Sequence, residues 1–180
     1  MSEWNQINVD HVAFKKAVRS GNWNAVEEFL VCHPDYAGLQ ITSLGQTALH
    51  IAIKAGHKHI VEKLVAQMSE EELEVKNKFG NTALDDVVFK GNYRMAVCML
   101  RKNMNLVSIK NSVNQLPVVM AILYGHIKLA RYLYSLTPEE DLKPEKGRDG
   151  ATLCCLAIYK GNLGNDSTSN YFLATISDDI

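Results

Sequence analysis

The sequence predicts an all-α solenoid: antiparallel helix pairs, stacked side by side and joined by hairpin-like turns. Three observations predict it. Glycine followed by a short polar residue recurs at Gly21-Asn22, Gly56-His57, Gly91-Asn92, Gly125-His126 and Gly161-Asn162, at intervals of 35, 35, 34 and 36 residues. Apolar residues recur at fixed distances on both sides of each glycine, with the three- and four-residue spacing of a helix face. Turn formers stand eleven residues before each glycine, at Asp10, Gly45, Gly80, Asn114 and Gly150. Self-similarity at this period is the signature of a repeat array, in which neighbouring units bury one another's apolar faces.

The first helix of each unit precedes its glycine. Four residues before it stand Ala17, Ala52, Val87, Ala121 and Ala157, and seven before it Phe14, Leu49, Leu84, Val118 and Cys154. These helices are short and rich in small residues, so they can approach closely. The glycine supplies the positive φ that reverses the chain. The second helix carries Ala25, Ile60, Met95 and Leu129 four residues on, and Phe29, Leu64, Met99 and Leu133 eight on. In the fifth unit those positions become Asn165 and Ser169, so its second helix is lost. The units fall at about 10–43, 44–78, 79–112 and 113–148, with a partial fifth at 149–163 and an irregular tail at 164–180. Truncation of a longer chain explains that tail better than a cap in which Tyr171, Phe172, Leu173 and Ile176 fold back.

Composition excludes several functions. The 180 residues carry a net charge of −1 and are 47% hydrophobic. A dedicated nucleic-acid binder would be strongly basic. The longest apolar run, Leu116 to Tyr124, is too short to span a membrane and contains a proline. The polar N-terminus lacks a signal-peptide core, which points to the cytoplasm. Cys32, Cys98, Cys154 and Cys155 show no metal-binding spacing. No cofactor, metal or catalytic motif emerges, and the expectation is a protein without enzymatic activity. Oligomeric state is not legible.

Three histidines lie close together, at His50, His57 and His59, and the sister repeats read them as structural. The His50 column runs Lys15, His50, Asp85, Val119, Cys155, which no shared chemistry could tolerate. Thr47 and Thr82 stand where helix N-caps belong, with His50 and Asp85 three residues on, in the spacing of a capping box. The His57 column alternates asparagine and histidine, both able to bond turn backbone. His59 reads as solvated. Ser69 with Glu70–Glu72, and Thr137 with Glu139–Asp141, read as N-capped acidic turns.

The segment GQTALHIAIKAGHKHIVEKL, from Gly45 to Leu64, resembles the ankyrin repeat, and the segments from Gly80 and Asn114 follow the same pattern. The phrases MSEEELEVKNKFGNTAL and DGATLCCLAIYKGN resemble plant ankyrin proteins whose longer members end in a membrane-spanning domain. The resemblance implies a scaffold that binds a protein or peptide on the concave face made by hairpin tips and first helices. An alternative is a soluble, truncated form of a membrane-anchored protein in stress or defence signalling. Carried over by column, the partner-binding candidates are Lys54, Lys78, Phe79, Phe89, Lys90, Leu123, Tyr124, Tyr159 and Lys160. Their mix of aromatics and lysines suits a partner with apolar anchors and some acidic character.

Overall fold

The computed structural model describes residues 3–142, with side chains from residue 11. Ten α-helices follow one another: α1 Glu3–Ser20, α2 Trp23–Cys32, α3 Ala48–Ala55, α4 Lys58–Gln67, α5 Glu70–Leu73, α6 Ala83–Phe89, α7 Tyr93–Lys102, α8 Pro117–Leu123, α9 Ile127–Leu136 and α10 Glu139–Leu142. Short 3₁₀ turns occupy Pro34–Ala37 and Met104–Ser108. No β-strand occurs among the described residues, so the all-α stack holds. The helix α1 starts at Glu3, upstream of the residue 10 taken as the start of the first repeat. The fifth repeat and the tail lie outside the described residues.

First helices pack in one row, α1 on α3, α3 on α6 and α6 on α8. Second helices form another row, in which α4 packs on α7 and α7 on α9. Between the rows runs one continuous core that includes Phe14, Leu49, Leu64, Leu84, Met99 and Leu133, all essentially inaccessible. At each helix reversal the glycine is left-handed, with φ of 75° at Gly21, 81° at Gly56, 64° at Gly91 and 77° at Gly125. The following residue's N–H then reaches back five residues to a first-helix carbonyl, as from His57 to Ala52 at 3.1 Å, which satisfies an otherwise orphaned carbonyl.

The hairpins between repeats rest on a column that the periodicity analysis overlooked. The side chains of Thr42, Asn77 and Asn111 each sit three residues before the turn former. Asn77 Oδ1 accepts from Phe79 N at 2.9 Å and Asn81 N at 3.2 Å. Asn111 Oδ1 does the same for Val113 and Gln115, and Thr42 Oγ1 accepts from Gln46 N. A buried or half-buried side-chain acceptor thus closes each tip.

The first-helix starts match the capping boxes anticipated from sequence, Thr47 with His50 and Thr82 with Asp85. Ser69 and Glu72 form a third at α5. At Thr137 the hydroxyl donates to the Leu133 carbonyl at 2.8 Å, back into α9.

Odd and even repeats differ. Asn22 and Asn92 cap their own helices, accepting from Ala25 N and Met95 N. His57 and His126 reach the preceding repeat instead, bonding the carbonyls of Arg19 at 2.8 Å and Phe89 at 3.2 Å. Their rings cover Gly21 and Gly91, so closely that a Cβ on Gly91 would lie 2.4 Å from His126 Nδ1. His59 is exposed but not merely solvated, for its Nε2 bonds the Gly21 carbonyl at 2.9 Å. The alternation extends to the outer row, where Lys63 sits over Trp23 and Lys128 over Tyr93.

Candidate functional site

The candidate surface is the exposed edge of the first-helix row together with the hairpin tips. Lys54 lies in the last turn of α3, Phe89 ends α6 and Leu123 ends α8. Lys90 and Tyr124 are the residues that follow α6 and α8. Position along each helix sets the exposure: neighbours on the buried face, such as Val88 and Ile122, go into the core. Phe79, Phe89, Leu123 and Tyr124 remain 54%, 60%, 50% and 47% exposed. Tyr159 and Lys160 lie outside the described residues.

The structure joins most of these groups. The rings of Phe89 and Tyr124 meet edge to face, centroids 5.0 Å apart at 83°, an arrangement favoured by the ring quadrupoles. Phe89 therefore packs against the next repeat and still presents its outer face. Lys90 Nζ donates to the Lys54 carbonyl at 2.8 Å, and Lys54 Nζ lies 3.6 Å from Asp86 Oδ2. The tips are tied together by the Lys78 N–H, which donates to the Leu44 carbonyl at 2.9 Å. A cleft of about 290 Å³ opens between repeats one and two, lined by Arg19, Gln46, Ile51, Lys54 and Ala55.

Beneath this surface lie the titratable groups of the inner row. The Thr47 N–H donates to His50 Nδ1 at 3.3 Å, which places the ring proton on Nε2, facing the Asn81 carbonyl at 3.2 Å. Burial lowers the His50 pKa, against the raising effects of the Asn81 carbonyl and Asp86. A neutral ring is what this pair of bonds requires. Asp85 takes the same position in repeat three. Its Oδ2 accepts from Thr82 N at 2.7 Å and from Thr82 Oγ1 at 3.0 Å, while its Oδ1 is buried without a partner. Burial pushes its pKa up to about 6. Asp86 is also raised, first by burial, with Lys54 and His50 opposing.

These groups hold helix starts and junctions together, and they share no open cavity. Among the described residues no three His, Cys, Asp or Glu side chains are grouped to hold a metal ion. No described helix is long and apolar enough to cross a membrane.

Stacked helix pairs, left-handed turns and projecting hairpin tips define a helical-repeat scaffold, whose surface presents side chains for contact. The chain belongs to the ankyrin-repeat family: the family model for ankyrin repeats in three copies matches residues 14–111, more than half of the chain. Ankyrin repeats are in general protein–protein interaction modules. The chain is also similar to the human protein calmodulin-binding transcription activator 2, at 31% identity over 106 residues. That match covers 53% of this chain and 9% of the relative, so the chain spans only a small part of that protein.

Proposed function

We propose that this chain is a non-enzymatic scaffold that holds a protein or peptide partner on its concave face, across the first-helix ends and hairpin tips of repeats two to four. The observation that carries the reading is the Phe89–Tyr124 pair. Two large rings from adjacent repeats brace each other at 5.0 Å while both stay about half exposed. Braced aromatics lose little side-chain freedom on contact, which is why such residues anchor interfaces. Lys54, Lys78, Phe79, Lys90 and Leu123 belong to the same set, and Tyr159 and Lys160 extend it by column.

The test compares affinity capture by the wild type and by a Phe89→Ala/Tyr124→Ala variant. Specific partners should be lost from the variant while its melting temperature stays close to that of the wild type. Unchanged capture of every partner by a folded variant sinks the reading. A second reading rests on the plant-like phrases around Glu70–Leu84 and Asp149–Asn162: a soluble, truncated form of a membrane-anchored ankyrin protein in stress or defence signalling. Sequencing the transcripts of the gene tests it: an apolar C-terminal extension in a longer transcript supports it, and the lack of one in every transcript contradicts it.

A further inference from the structure

We infer that the partner is an extended acidic segment, with carboxylates set over repeats one and two and one large apolar side chain over repeats three and four; this rests on the interaction reading above. Charge is sorted between the two helix rows. From residue 11 to residue 142, every Asp and Glu except Asp85 and Asp86 lies on a second helix or in the turn after one. The binding edge instead carries Arg19, Lys54, Lys78 and Lys90, all exposed. Beside the buried Asp85, its one carboxylate among the described residues is the largely buried Asp86, which Lys54 already faces at 3.6 Å. The chain as a whole has a net charge of −1, so this positive edge is local. A single-sign surface attracts the opposite charge and rejects its own.

The edge also has a direction. Arg19, Lys54 and Lys90 follow one per repeat through repeats one to three, and the cleft of about 290 Å³ opens between the first two. Its lining joins the apolar Ile51 and Ala55 to Gln46 and to the cations Arg19 and Lys54. That combination suits the methylenes and carboxylate of a Glu side chain. The apolar end follows, as Phe89, Leu123 and Tyr124. Packed helices lie about 9 Å apart, and an extended chain advances about 3.3 Å per residue. One repeat therefore corresponds to about three partner residues. The matching pattern is two acidic residues about three apart, then an aromatic or aliphatic residue about three to six further on.

A phage-displayed library of random dodecapeptides, selected on the full chain, tests this. Enriched peptides should show that spacing. Synthetic copies should bind at least about tenfold more weakly to an Arg19→Glu/Lys54→Gln variant, and more weakly in high salt. Replacing their Glu by Gln should reproduce the loss, with the variant's melting temperature as the folding control. Neutral or basic winners that are lost on Phe89→Ala/Tyr124→Ala would overturn the inference and leave the interaction reading standing. Failure to enrich any peptide, or winners indifferent to both variants, would overturn both. Displacement of the winners by a 20-nucleotide single strand, or dimerisation abolished by Arg19→Glu/Lys54→Gln, would assign the edge to nucleic acid or to a second copy and also overturn it.

Discussion

Asp85→Asn should stabilise this protein, and by an amount that grows with pH. Asp85 is 2% exposed, and its Oδ1 has no hydrogen-bond partner. Burial raises its pKa from an ordinary 3.8 to about 6, while the two bonds from Thr82 act in the other direction. The folded pKa lies above the unfolded one, so the group's contribution is fully present below pH 3.8 and is lost as pH rises through 6. At about 1.4 kcal/mol per tenfold change in proton affinity, ionised Asp85 costs about 3 kcal/mol at pH 8. At pH 5 the same linkage leaves roughly half of that cost. Asparagine cannot ionise, and its amide oxygen can still accept from the Thr82 N–H. The gap between variant and wild type should therefore widen from pH 5 to pH 8 by roughly half of the pH 8 cost. Urea unfolding at both values measures it. Other titrating groups, His50 among them, act in both proteins and largely drop out of the difference. A gap independent of pH, or a variant less stable at pH 8, would refute the reasoning.

The remaining expectations concern other columns of the array. Gly91→Ala should cost well over the ~1–2 kcal/mol of a left-handed alanine, because its Cβ would meet the His126 ring; Gly56→Ala, with open space beside it, should cost only that amount. Thermal melts of the two variants compare them. His50 has a lowered pKa, so its contribution is present above about pH 6.5 and is lost as pH falls; a His50→Gln variant should lose less stability than wild type between pH 7 and pH 5 in the same urea assay. Leu64→Ala, at a fully buried site, should cost about 2–5 kcal/mol by calorimetry.

What was legible in the sequence was whatever repeats within the local chain. The left-handed glycines, the Leu49 and Leu64 columns and both threonine capping boxes are set by neighbours within a few residues, so spacing alone exposes them. The hairpin acceptors Asn77 and Asn111 were equally readable, three residues before each turn former, but a search confined to apolar columns passes over them. Contacts between repeats were less legible. His57 and Asn22 share a column and a polar character, yet only the longer imidazole crosses to the preceding repeat. His59 looks solvated in sequence because its partner, the Gly21 carbonyl, lies 38 residues away. For the candidate site, the column argument located Phe89 and Tyr124 separately. Their edge-to-face contact depends on the lateral offset of α6 and α8, which no single-chain periodicity encodes.

The alternation of histidine and asparagine makes the pair of repeats, not the single repeat, the natural unit of length for this chain. Excising one repeat would set an asparagine above Gly21 and leave the ring-shaped space over that turn empty. Excising residues 57–125 would join Gly56 directly to His126 and return an imidazole to the same carbonyl and the same glycine. Shortened versions of the array should accordingly tolerate the loss of 69 consecutive residues better than the loss of about 35, and extensions should be tolerated by the same arithmetic.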